Sequence, residues 1–392
     1  IEVILTNNVD CKIRNYVSIQ NISVRDYLLK LGTNKPKTKE TAEICLLYSD
    51  NIQQFLKRDH REVHYKLFEV FGAYDFYLYT LYELEGDNTE LFDAVNKLGV
   101  LGGNITDIYQ LYERRNCLGG FSRFNNYNGY HKYSWCNQPN EISKNNQRLG
   151  HRPDLAEYPE LMNRYQQMAS WTHEYFHHYQ RAHHLEKLMG MEKDCEIRGF
   201  CNEGIVTNTP AWFIEGQANL VLGLFFKENF NNLTISKENN LTFNQILKKD
   251  SELHARICNA ILCDLNRNYR SAKEGFLGIH KNTNQDYKDC SEFTELEDYR
   301  EIRECSWQWI SAAAYMGYIS SYQTAFVEMF NDINKLGFDA ALEKHYGLTK
   351  LEFYKQYSNF MRSDPSNLTP PPGFFPNKLS EEVNFFLVDS GN

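Results

Sequence analysis

The chain has 392 residues, 42% hydrophobic and 24% charged, ordinary globular values that exclude a disordered tail, a collagen-like fibre and a coiled coil. Lys plus Arg number 42 against 51 Asp plus Glu, and the resulting net charge of −9 argues against a nucleic-acid backbone or an anionic membrane as the main partner. The longest apolar run, Leu220 to Phe226, falls well short of the roughly 18 residues a membrane helix needs.

In chain order, apolar residues from Thr38 to Cys117 recur at helical spacing, as in Ile44, Leu47, Tyr48, Ile52 and Phe55 and then Leu67, Val70 and Phe71. This pattern predicts a helical layer, closed by Gly119-Gly120. From Phe121 to Trp135 aromatic residues interleave with Asn, Gly, His and Lys, which predicts a short strand, and the polar stretch Asn137 to Pro153 predicts a loop. Residues 1–139 therefore read as a mainly helical N-terminal region ending in a candidate edge strand.

Tyr158 to Leu188 has no internal Pro or Gly and carries Leu161, Tyr165, Met168 and Trp171 on its apolar side, the pattern of one long helix. Pro210 suits the first turn of a second helix running through Phe226. Further helices are predicted at Leu253 to Leu265, Trp307 to Asn331 and Thr349 to Met361. Pro370-Pro371-Pro372-Gly373 cannot continue a helix, and Phe385 to Val388 reads as an edge strand. The expected organisation is a catalytic region at residues 140–365 and a Pro-rich tail at 366–392.

The chemistry is concentrated in His173-Glu174-Tyr175-Phe176-His177, a His-Glu-x-x-His signature inside the long predicted helix. Positions four apart lie about 40° apart on one helical face and about 6 Å along the axis, so both imidazoles can reach one ion. Glu174 would then face a water activated by that ion, taking its proton during attack on a carbonyl and passing it to the leaving amine. A catalytic zinc site uses three protein ligands and an open position, and the downstream stretch Trp212-Phe213-Ile214-Glu215-Gly216-Gln217-Ala218-Asn219 offers Glu215 as the third.

The arrangement resembles the gluzincin metallopeptidases, and Trp-x-x-Glu-Gly-x-Ala is similar to the second motif of their collagenase-like and glycyl-aminopeptidase-like branches. The resemblance covers Trp171 to Leu220. It implies Zn2+ held by His173, His177 and Glu215, Glu174 as general base, and Asn219, one turn beyond Glu215, as a support for His173. It also implies an α+β, mostly helical fold: a gluzincin-like catalytic domain with a small edge sheet, preceded by the helical N-terminal region. Gly216 and Ala218 would let the two motif helices approach closely. The chain lacks the Gly-x-Met-Glu-Asn stretch that reads a substrate amino terminus and the Asn-Glu-x-x-Ser-Asp of the thermolysin type.

His183 is the rival third ligand, placed where the metzincin pattern has its third histidine. Gln180 stands where that pattern needs a helix-breaking Gly, and a continued helix rotates His183 about 120° from His177 and displaces it about 9 Å. His178 points about 100° away from His177, and His184 returns to the ligand face farther along. An oxyanion donor is also required, and Tyr318 is preferred over Tyr315, Tyr322 and His131.

Ten cysteines with no Cys-x-x-Cys pair fit disulfide bonds in an oxidising compartment, with pairing left open. Asn21, Asn104, Asn232 and Asn240 each open an Asn-x-Ser/Thr triplet, as in a glycoprotein. The chain begins at Ile1 with no leader, so a secreted or extracellular protein with its signal peptide removed is expected. The predicted function is a zinc peptidase acting on polypeptides, with an endopeptidase preferred. The alternatives are an aminopeptidase, a silent metal-stabilised binding or toxin-like module, and an unmetallated helical scaffold.

Overall fold

The computed structural model describes residues 9–12, 36–42, 44–48, 54–73, 77–81, 159–182, 209–252, 264–279, 293 and 307–388. The described part is mostly helical, and the chain divides into two compact units, residues 1–185 with 191–201 and 392, and residues 186–190 with 202–391. The expected boundary near residue 139, the strand expected from Phe121 to Trp135 and the loop after it lie outside the described residues.

The first unit opens with β1 (Val9–Lys12), β2 (Ile44–Tyr48), α1 (Gln54–Phe71) and β3 (Tyr77–Leu81), so the described part of the helical layer expected from Thr38 to Cys117 contains a strand, a helix and a strand, and residues 82–117 lie outside the described residues. The central strand β2 runs antiparallel to β1, with Cys11 opposite Cys45, and parallel to β3, with Ile44 opposite Tyr77. Parallel neighbours need a crossover, and α1 provides it. Ile44, Leu46 and Tyr48 are all buried, the period of two that a strand requires. Ile44-Cys45-Leu46-Leu47-Tyr48 is a continuous apolar run, which fits either periodicity until pairing partners on both sides decide the matter.

α1 buries His60, Val63, His64, Leu67 and Phe71, one helical stripe, and packs it against α2 (Pro159–Ala182). Phe68 and Phe71 meet Tyr175 with ring centroids 5.5 and 6.3 Å apart, and Phe71 also meets Phe176 and Tyr179. The Tyr175 hydroxyl donates to the Gly72 carbonyl just past the end of α1. Each of these rings is fully buried, and truncating one to Ala costs about 3–5 kcal/mol.

The second unit contains α3 (Ala211–Asn229), α4 (Thr234–Asn239), α5 (Phe243–Glu252), α6 (Leu265–Phe276) and α7 (Trp307–Ile319). A π-helical turn (Thr324–Glu328) then leads into α8 (Met329–Leu336), α9 (Phe338–Tyr346), α10 (Lys350–Arg362) and α11 (Leu379–Glu382). Pro210 precedes α3 in extended conformation, and the helix runs past the expected Phe226 to Asn229. α3 packs on α7 so closely that a Cβ at Gly216 would lie 2.4 Å from the Trp309 carbonyl oxygen. The smallness of Gly216 therefore serves the approach of α3 to α7. Trp212 stacks on Phe353 at 5.2 Å and donates its indole N–H to the Tyr354 hydroxyl at 2.9 Å.

The single helix expected from Trp307 to Asn331 is broken at Ser320 and Ser321. The Ser321 hydroxyl accepts from the Thr324 N–H at 2.9 Å and so caps a new helix. Gly317 leaves room for the Tyr322 ring, which would otherwise meet a Cβ at 2.5 Å. α10 begins, as expected, at Thr349, whose side chain and backbone form a reciprocal capping box with Glu352. Of the helix expected at Leu253 to Leu265, residues 253–263 lie outside the described residues, and a helix begins instead at Leu265, capped by Asp264.

Phe385 to Leu387 forms a 3-10 turn, in place of the expected edge strand, because the Asn384 side chain accepts from the Phe386 N–H and Phe385 turns inward. The Pro-rich segment folds back onto this unit, with Phe374, Leu379 and Phe385 buried and Lys227 donating to the Pro376 carbonyl at 3.2 Å. Among the described residues no helix is long and apolar enough to cross a membrane.

Candidate metal centre

α2 presents His173 and His177 one turn apart, with Nε2 atoms 2.9 Å apart and rings nearly perpendicular at 86°. Its other face carries Trp171, Tyr175 and Tyr179 into the packing with α1, and that burial pushes the Tyr175 and Tyr179 phenols well above their ordinary value. The amphipathic division of α2 thus assigns one face to the core and leaves the other for the histidines. His177 is buried and His173 half-buried. The outer nitrogen of His177, Nδ1, lies 2.8 Å from the Gln180 side-chain oxygen.

Glu215 lies in the second turn of α3, half-buried, between the buried Ile214 and Gly216. Two contacts hold α3 in rotation: Gly216 lies against Trp309, and the Gln217 amide donates to the Ala325 carbonyl in the π-helical turn at 2.9 Å. The ligand atoms of His173, His177 and Glu215 all lie within 4.8 Å of one another. They are the one group of three or more His, Cys, Asp or Glu side chains among the described residues that meets the spacing a metal ion requires.

The donor set fits zinc. Two imidazole nitrogens and one carboxylate oxygen are donor types that a three-ligand zinc site uses. Two nitrogens on a tetrahedral zinc lie about 3.3 Å apart, so the 2.9 Å separation needs an opening of only a few tenths of an ångström.

Of the remaining expected residues, Asn219 is half-buried one turn after Glu215 on the same helical face. The backbone of Glu174 and of His178 is helical within α2, and their side chains lie outside the described residues, as do His131, His183 and His184 altogether. Tyr318, in the last turn of α7, is 39% exposed with its ring against Phe360 and Phe374. Tyr315 is buried against Phe353, Tyr357 and Phe360. Tyr322 commits its hydroxyl to the Ala314 and Phe374 carbonyls.

In the sequence Gln180 is marked only as a helix former. Its spacing of three from His177 was the available signal, since side chains three apart share a helical face. Comparison with protein-family models, with curated proteins and with solved structures finds no match to this chain.

Proposed function

We propose that this protein is a secreted zinc-dependent endopeptidase whose metal ligands are His173, His177 and Glu215. The observation that carries the reading is the gathering of these three ligand atoms within 4.8 Å of one another. A bound zinc ion would supply Lewis acidity toward a water and a substrate carbonyl. Glu174, next to His173 in the same helical turn, is the general base that takes the proton of the attacking water and returns it to the leaving amine. Asn219 orients His173 through a hydrogen bond. Tyr318, exposed where Tyr322 has spent its hydroxyl on two carbonyls, is the donor to the developing oxyanion.

The absence of an amino-terminus-reading motif supports internal cleavage. Secretion is supported by the ten cysteines and by Asn232 and Asn240, two triplet asparagines that are both exposed. The test is mass-spectrometric profiling of a mixed peptide library with zinc-loaded protein beside Glu174→Gln, which keeps the ligands and removes the base. Internal cuts that vanish in Glu174→Gln are the expected result. Cuts confined to free amino termini would make the protein an aminopeptidase. No cuts despite one bound zinc per chain would make it a metal-stabilised binding module. Protein without stoichiometric zinc, with melting indifferent to chelator, would reduce the site to a helical scaffold.

A further inference from the structure

We infer that Gln180 is a positioning residue of the metal centre, holding His177 in the tautomer protonated at Nδ1 so that the Nε2 lone pair is preset for an ion. The inference rests on the zinc reading above for its consequence, and on geometry alone for the tautomer. A neutral imidazole has one N–H and one lone pair, and a side-chain amide oxygen only accepts. The Nδ1 to Gln180 Oε1 distance of 2.8 Å therefore puts the proton of His177 on Nδ1. His177 is 2% exposed and Gln180 4%, so the bond is made away from bulk water, where a hydrogen bond is stronger than in solvent.

The helix makes this pairing durable. Trp171, Tyr175 and Tyr179 are buried on α2, and Tyr175 is tied to the Gly72 carbonyl, so α2 cannot rotate freely about its axis. Gln180 then meets His177 at a fixed spacing of three on one face.

An amide turned the other way would present its NH2 to Nδ1 and move the proton of His177 to Nε2, the opposite tautomer, which makes the inference testable without any metal. Full-length metal-free protein is labelled with 15N-histidine and its long-range proton–nitrogen correlations are recorded, with the His177 signals assigned by their loss in His177→Asn. The expected pattern is a protonated Nδ1 and a bare Nε2. The affinity for Zn2+ alone, measured by chelator competition, should fall about 10–100-fold in Gln180→Leu and recover in Gln180→Glu, whose carboxylate accepts at the same place. Gln180→Met, an unbranched chain close in length to Gln but without its acceptor, should lose affinity as Gln180→Leu does, and that loss separates positioning from packing.

A His177 protonated at Nε2 in the metal-free protein would overturn the inference. So would equal zinc affinity in wild type and Gln180→Leu. Wild-type protein that takes up no zinc would overturn the metal reading and the ligand role of His177 with it, and the tautomer spectrum would still report separately on the hydrogen bond.

Discussion

Asp59 and Arg164, 105 positions apart in the chain, form a two-pronged buried ion pair, with Nε to Oδ2 at 2.7 Å and Nη2 to Oδ1 at 3.0 Å. Asp59 is fully buried, and the Arg164 guanidinium also lies over the Phe55 ring at 4.8 Å. The pair links α1 to the helix that carries both histidines. Removing one partner strands the other charge in the core, so Asp59→Ala should destabilise the protein by about 3–5 kcal/mol in denaturant unfolding. The double variant Asp59→Leu/Arg164→Met should recover much of that loss. A loss below about 1 kcal/mol in Asp59→Ala would mean that the pair is solvated.

His64 predicts a pH dependence. Burial lowers its pKa from the ordinary 6.5 to about 4, partly offset by its bond to the His60 carbonyl. Burial, and after it the neighbouring His64 and Arg61 charges, also holds His60 well below its ordinary value. Between about 4 and 6.5 the unfolded chain binds a proton at His64 that the folded chain refuses, so stability rises with pH through this window. The contribution is complete above pH 6.5 and lost as pH falls toward 4, on the order of 3 kcal/mol for His64. Urea midpoints of the chelator-treated protein should decline across that range, with a shallower decline in His64→Gln. Equal slopes would remove His64 as the cause.

Gly216→Ala should be costly out of proportion to one methyl group. Its Cβ would sit 2.4 Å from the Trp309 carbonyl oxygen, a backbone atom, so α3 or α7 has to move. Overpacking of this kind costs about 1–3 kcal/mol. Because Glu215 is the neighbouring residue, zinc affinity should drop as well, whereas Gly223→Ala, opposed only by the flexible Leu265 side chain, should leave zinc affinity unchanged. Parallel chelator titrations of the two variants decide this.

Local signals were legible and non-local ones were not. The His173–His177 spacing, the helix opened by Pro210 and the helix expected from Thr349 each depend on residues within a turn or two, and each appears in the structure. Ile44 to Tyr48 reads equally well as helix or strand until β1 and β3 flank it, which no local window contains. The break at Ser320 combines a local cap, Ser321 on the Thr324 N–H, with a bond no local window contains, from the Tyr322 hydroxyl to the Phe374 carbonyl 52 positions away. Gathering Glu215 with the histidines was anticipated from motif wording, since spacing along α2 alone nominates only His173 and His177.

α1 and α2 each carry histidines four residues apart, with different consequences. His60 and His64 are fully buried, their rings tilted at 34°, with His60 Nδ1 bonded to the Tyr48 hydroxyl and His64 Nδ1 to a backbone carbonyl. No carboxylate joins them in a metal-spaced group among the described residues. The protein thereby contains its own blank: in a zinc titration followed through histidine resonances, His173 and His177 should move together while His60 and His64 stay still, so specific uptake is told from indiscriminate imidazole binding within a single sample.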